Sequence, residues 1–406
     1  MNSQPPEILR RTVMYVPGYD PVPPRKYRER YRREGARQAE ISGYALTLGK
    51  KQGDGRFGWH VTGDMDGART EAEIEVMYWA DIVRGSMAQG ILGTYGQLAR
   101  TAWAYIGSGA LFRLMRLRKG PVIAALFPVV VLLAQLVLAV GTGWLVGRIL
   151  GEAMPDGLTL AVALIVAAPV AWLILRWFRR KDHLLAWYLM HDYAFSAQLH
   201  GAYPPAQEAR MAEFANRIAV ALQDDVDEVL IVGHSSGAYI AVSMLADLMR
   251  GGCVPASGPR LALLTLGHVV PMVSFLPKAG RLRADLAYLC QQDRLTWVDV
   301  TAPGDGCAFA LCDPVAVTGV APPGKRWPLV ISAAFSQTLA PETWKALRWR
   351  LFEVHFQYLN AFDRPGDYDY FAITAGPLSL ATRFAGRAPS ASRIETPVNR
   401  FTDMAA

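Results

Sequence analysis

Hydrophobic positions along the chain fall into three rhythms, and each predicts a different kind of element. Thr12 to Val16 is a five-residue apolar and β-branched run closed by Pro17-Gly18, which reads as a strand ending in a loop. Tyr44 to Leu48, Phe57 to Val61 and Ala72 to Trp79 read as three further strands, the first two joined as a hairpin through Lys50 to Gly55. Val229 to Val232, Leu261 to Leu266 and Leu295 to Val300 are continuously apolar instead, as parallel strands covered on both faces are. Helical spacing governs Arg25 to Glu40, Ala206 to Leu222 and Ala238 to Arg250, the last with Ile240, Met244, Leu245 and Leu248 on one side. Trp344 to Leu359 is mixed and predicts a helix passing into a strand near Phe352 to Phe356. Gly386 to Ala406, rich in Ala, Pro, Ser, Thr and Arg, predicts a disordered tail.

The third rhythm has no polar face at all. Pro121 to Val146 contains no charged residue and is long enough to span a bilayer, and Leu158 to Leu175 is apolar over about the minimum length. Pro169 in the second run is tolerable in lipid if neighbours satisfy the freed backbone. A short loop with Glu152 and Asp156 joins the two. Arg113, Arg116, Arg118 and Lys119 precede the first run, while Arg176, Arg179, Arg180 and Lys181 follow the second. Basic residues outside both runs predict a two-span hairpin with both flanks in the cytoplasm, as in a protein of a bacterial inner membrane. Ile82 to Gly120 and Lys181 to His200 are helical, aromatic and apolar. They suit helices lying along a membrane or capping a site.

Composition sharpens this picture. Of 406 residues 52% are hydrophobic and the mean hydropathy is +0.15, an apolar balance concentrated between about residues 121 and 175. The net charge of +7 and pI near 9.2 favour an anionic surface, and membrane lipid fits better than nucleic acid. Arg25 to Glu40 carries seven Arg or Lys residues, which suits lipid head groups as well as a solvated helix whose Tyr27 and Tyr31 meet the sheet. Met1 to Leu9 lacks the pattern of a signal peptide. Cys253, Cys290, Cys307 and Cys312 show no paired metal spacing, and His183, His191 and His200 lack the H-E-x-x-H pairing, so no metal or cofactor is expected. The cysteines read as reduced thiols of a cytoplasmic domain.

Chemistry enters at Gly233-His234-Ser235-Ser236-Gly237, a G-x-S-x-G pentapeptide between an apolar run and a helical pattern. A strand, a sharp turn and a helix there would place Ser235 at the apex of a nucleophile elbow. A serine hydroxyl needs a histidine to take its proton and a carboxylate to orient the imidazole. Only His268 and His355 follow Ser235. Asp305, just past the Leu295 to Val300 run, followed by His355 meets the order serine, acid, histidine; Asp299, Asp313 and Asp363 also stand as candidate acids. Gly18 and Tyr19 follow the first strand, where a second oxyanion donor would lie. His234 and His268 are placed at the wall of the same cleft.

The segments VMYVPGY, VLIVGHSSG, LALLTLG and WVDVTAPGDG, with the late His355, resemble an α/β-hydrolase of the lipase and esterase type. That resemblance implies a mostly parallel sheet flanked by helices, interrupted by the two-helix insertion. Residues 1–80 and 201–385 would form the hydrolase domain, 81–200 the membrane insertion and 386–406 the tail. It further implies Ser235 as nucleophile, His355 as base, Asp305 as its acid, and the N–H groups of Ser236 and of Gly18 or Tyr19 as oxyanion donors. The expected activity is cleavage of an acyl or lipid ester at a membrane. Acyl transfer from the same acyl-enzyme, or lipid binding without turnover, are the alternatives.

Overall fold

The computed structural model describes residues 7–52, 57–155 and 158–405; the start of the chain, the tip of the Lys50 to Gly55 turn and Asp156 lie outside them. Eight strands form one sheet: β1 (Arg10–Val16), β2 (Ala45–Lys50), β3 (Gly58–Met65), β4 (Ala68–Val76), β5 (Glu228–His234), β6 (Arg260–Leu266), β7 (Leu295–Thr301) and β8 (Leu329–Ser332), in the order β2-β3-β4-β1-β5-β6-β7-β8. β2, β3 and β4 pair antiparallel, and the remaining pairs are parallel. β3 and β4 are joined by Asp66-Gly67, both with positive φ (53° and 77°), a tight two-residue hairpin that starts β4 four residues before Ala72.

The continuously apolar strands are covered on both faces. Val13, Tyr15, Leu230, Val232, Leu264 and Val300 pack into one core, and Met14, Val16, Val229, Ile231, Leu263 and Trp297 into the other. Helices Pro205–Ala221 and Gly237–Arg250 cover the second face, while Tyr27 and Tyr31 of the helix Arg25–Ser42 are buried against the first. At the far end of the sheet Arg11 of β1 meets its register neighbour Glu228 of β5 at 2.6 Å, both buried. The guanidinium also donates to the carbonyls of Gly376 and Leu378, so the buried charge is fully satisfied.

Two expectations from the sequence fail here. Phe352 to Phe356 is not a strand: Leu351–His355 is a helical turn, because β8 already occupies the place beside β7. With no strand to pair with, the segment closes its own bonds, Val354 N–H to Arg350 O and Phe356 N–H to Phe352 O. The tail from Gly386 is also ordered against the body. Ile394 bridges Cys312, Asn399 donates to Ser274 O, and Asp403 pairs with Arg283 at 3.0 Å.

Between β4 and β5 the chain builds three helices (Ala80–Met87, Ile91–Gly107, Ala110–Leu117), then two long apolar ones, then Ala186–Ala197. The apolar helices, Lys119–Glu152 and Thr159–Lys181, each hold an 18-residue stretch of mean hydropathy 2.7 and 2.1 and are long and apolar enough to cross a membrane. They outrun residues 121–146 and 158–175 because the basic flanks stay helical. Their contact is made by a glycine ridge. A Cβ on Gly143, Gly147 or Gly151 would lie 2.5, 2.3 or 2.5 Å from the carbonyl oxygen of Ala167, Ala163 or Thr159. Small residues four apart let the two backbones touch, so close van der Waals contact holds the pair. Gly147→Val should therefore lower the apparent melting temperature in detergent by roughly 5 °C, whereas Gly141→Val, whose Cβ meets nothing within 4 Å, should not; a thermal scan of the two variants checks this.

Candidate active site

β5 carries the chain to Ser235 without a break in the ladder, and the next residues start the helix Gly237–Arg250. Turning so sharply puts Ser235 at φ 58°, a left-handed conformation that costs a non-glycine residue about 1–3 kcal/mol. The flanking glycines make the turn possible. A Cβ on Gly233 would stand 2.7 Å from Gly237 O, and one on Gly237 would stand 2.1 Å from Val16 O. Gly18 lies just as close from the other side, its missing Cβ 2.9 Å from the Ser235 Cβ. Ser235, Ser236, Gly18 and Tyr19 thus line one cleft together with His234, His355 and Asp192. None of the N–H groups of Gly18, Tyr19 and Ser236 is taken by an acceptor among the described residues.

His355 reaches this cleft from the helical turn after β8. Its Nδ1 lies 2.8 Å from Asp305 Oδ2. Asp305, in the loop after β7, is buried; burial acts to raise its pKa, but the His355 charge, the His355 hydrogen bond, the Cys307 N–H and the Tyr358 hydroxyl outweigh that and hold it below the usual carboxylate range. An ionised Asp305 fixes the proton on Nδ1, which leaves the His355 Nε2 lone pair free to accept one. No hydrogen bond joins Ser235 Oγ to His355 among the described residues, although both side chains line the cleft.

The other candidate acids are engaged elsewhere. Asp299 accepts from Thr265 at 2.6 Å, Asp313 caps the helix Pro314–Thr318 and pairs with Lys325, and Asp363 pairs with Arg37 and accepts from Ala340 N–H. His234 lies at the cleft as expected, but buried: its Nε2–H donates to the His355 carbonyl at 2.9 Å and its ring packs 4.9 Å from the His355 ring. Burial, with the nearby His355 charge, pushes its pKa down to about 3, so it is a neutral strut. His268 does not line the cleft, contrary to expectation. It is wholly buried, donating through Nε2 to Cys312 O at 3.0 Å and accepting the Val270 N–H at Nδ1, because its strand end turns under the tail-bearing loop.

Three participants escape a reading of the sequence. Tyr358 donates to Asp305 Oδ2 at 3.1 Å and accepts the Ala302 N–H, tying the acid to the end of β7; its only sequence signal is its place three residues after His355. Tyr188 donates to Tyr19 O and so fixes the donor loop from the insertion side. Asp192, on the helix Ala186–Ala197, faces the cleft with no hydrogen-bond partner among the described residues. Burial pushes its pKa up to about 7, with the His355 charge opposing.

Asp305, Cys307 and His355 could in geometry also hold a metal ion, their ligand atoms lying within 4.8 Å of one another. The donor set argues otherwise. Burial, then the charges of Asp305 and Asp192, keep the Cys307 thiol well above its ordinary pKa, so the thiolate a metal needs is disfavoured. Among protein-family models, curated proteins and solved structures, none matches this chain.

Asp192 yields a pH-dependent test. Its folded pKa lies above the ordinary value near 3.9, so between about pH 4 and 7 the native state holds a proton the unfolded chain lacks, and stability falls as pH rises through that window. Asp192→Asn removes the cost. Thermal scans should show the variant more stable than wild type by a few degrees at pH 8, with the difference shrinking towards pH 4.

Proposed function

We propose that this protein is a membrane-anchored serine hydrolase that cleaves a carboxylic ester of acyl or lipid type. One observation carries the reading: His355, held at 2.8 Å by the buried Asp305 behind it, shares a cleft with a strained Ser235 held between the end of β1 and the start of a helix. The order of the parts along the chain also supports it. The donor loop follows β1, the serine follows the adjacent β5, the acid follows β7 and the histidine follows β8, as the resemblance to α/β-hydrolases of the lipase and esterase type implies.

Chemically the sequence of events is simple. Ser235 Oγ attacks the ester carbonyl while its proton passes to His355 Nε2, and Asp305 stabilises the resulting imidazolium. The tetrahedral oxyanion is held by the uncommitted N–H groups of Ser236 and of Gly18 or Tyr19. As the C–O bond to the alcohol breaks, His355 returns the proton to the leaving oxygen, and the acyl group stays on Ser235. Water then attacks, again giving its proton to His355, and the acid leaves as Ser235 is restored.

Anchoring is supported by the two apolar helices and by the basic residues at their outer ends, which favour the cleft on the cytoplasmic side. The first apolar helix begins at the cleft itself. Pro121 lines it, and Gly120 packs against Gly306, next to the acid. Leu92, Trp103, Ile106 and Phe112 of the preceding helices are exposed, the apolar surface of an element lying on a bilayer.

A fluorophosphonate probe should label the protein and lose that labelling in Ser235→Ala; equal labelling of both would refute the proposal. EDTA should leave labelling unchanged, since no step passes through a metal. Asp305→Asn should lower kcat by about 10³–10⁴-fold with Ser235 still in place, because the imidazole then loses its orienting charge. Extraction of the membrane fraction with alkaline carbonate should leave the protein in the pellet, and release into the supernatant would remove the anchor.

A further inference from the structure

We infer that a second, apolar pocket beside the cleft is the seat of the substrate's acyl chain, filled sideways from the bilayer. The inference rests on the hydrolase reading for its substrate but on separate geometry for its location. This pocket is lined almost wholly by apolar side chains. Its walls come from four helices of the insertion: Ala102 from Ile91–Gly107, Leu114 from Ala110–Leu117, Ala125 from the start of the first apolar helix, and Met190 from Ala186–Ala197. No charged residue lines it, and the Tyr105 hydroxyl is spent on Met272 O at 2.9 Å, inside the wall. A chain of methylenes suits such a lining; a head group does not.

Two features fix the occupant. Tyr193 and Met272 wall both this pocket and the cleft that holds Ser235, so the two are neighbours across a partition of two side chains. An ester whose carbonyl lies at Ser235 would therefore reach this pocket with its acyl chain by passing the partition at Met272. At the opposite rim stand Ile106 and Leu126, which are themselves exposed, 51% and 37%, and belong to the apolar surface next to the first span. The pocket thus lies between the wall it shares with the Ser235 cleft and the exposed apolar rim. The helices that build it are those the insertion adds to the sheet, which gives the insertion a chemical role beyond anchoring.

Burying one more methylene is worth about 0.8 kcal/mol, or roughly fourfold in transition-state binding for each carbon that the pocket accepts. The full chain in lipid nanodiscs should then prefer a p-nitrophenyl ester of sixteen carbons over one of four. Ala125→Phe and Ala102→Phe, which fill the pocket from opposite walls, should each lower the ratio of long-chain to short-chain kcat/KM by at least about tenfold. An unchanged ratio in both variants overturns the inference. A second measurement does not need turnover. In Ser235→Ala, a sixteen-carbon monoacylglycerol with a diazirine at the chain end should crosslink to residues 98–129 and to Met190, whereas crosslinks confined to the exposed span positions, such as Val137 and Ile165, overturn it. Should fluorophosphonate labelling of the wild type fail while these crosslinks form, the pocket stands as a lipid site and the hydrolase reading falls alone.

Discussion

Three backbones meet around Ser235 with no room between them. Gly237 passes so near β1 that the carbonyl oxygens of Val16 and Pro17 would lie 2.1 and 2.8 Å from any Cβ there, and Gly18 closes over Ser235 from above. The junction holds the serine in a left-handed conformation it would not keep alone, and the sheet supplies the restraint: Ser235 N–H bonds to Leu266 O at 2.9 Å, one strand across. Ala238 N–H then takes Ser235 O and starts the helix. The strain is local, while the bonds and the two cores that resist its release run through β1, β5 and β6. The same crowding brings the Gly18-Tyr19 loop to Ser235, so the positions of the serine and of that loop are one constraint.

Around that junction the carboxylates are set apart by their surroundings. Asp305 accepts from His355, Tyr358 and the Cys307 N–H and stays ionised, whereas Asp192, across the cleft, has no donor among the described residues and holds its proton into the neutral range. A carboxyl supplied with hydrogen bonds ionises, and one without them keeps its proton longer. The ionised one orients an imidazole. The other adds no full negative charge to the cleft below about pH 7.

How much of this was legible in the sequence depends on whether the determining contact is local. Continuous apolar runs announced β5, β6 and β7 and their parallel pairing, a β-branched run closed by Pro-Gly announced β1, and the charge-free runs with basic brackets announced the two long helices. Asp305 stood among four acids because spacing cannot tell a carboxylate that meets His355 from one that caps a helix, as Asp313 does. Phe352 to Phe356 alternates like a strand, yet the edge it would have joined is taken by β8, four residues that carry little pattern of their own. His268 was misplaced for the same kind of reason: the end of its strand is next to the elbow, but its ring turns to Cys312, where the tail also docks through Ile394. That tail reads as disordered from composition, since its few anchors are single residues spread among prolines, serines and alanines.

The place of the insertion follows from the direction of the strands. β4 runs parallel to β1, so it ends at the same edge of the sheet as β1, β5 and β7, whose following loops carry Gly18, Ser235 and Asp305. A chain leaving the sheet at Val76 and returning through the helix Pro205–Ala221 to begin β5 must therefore rise over that edge before it comes back. Everything between, the apolar helices included, is built above the cleft. An insertion at the opposite edge, after β3 for example, would have put the long helices beneath the sheet, away from Ser235. With the chain routed this way, Gly120 touches the Asp305 loop and Tyr188 holds the Tyr19 carbonyl, so the helices of the insertion also hold the loops that follow β7 and β1 in place.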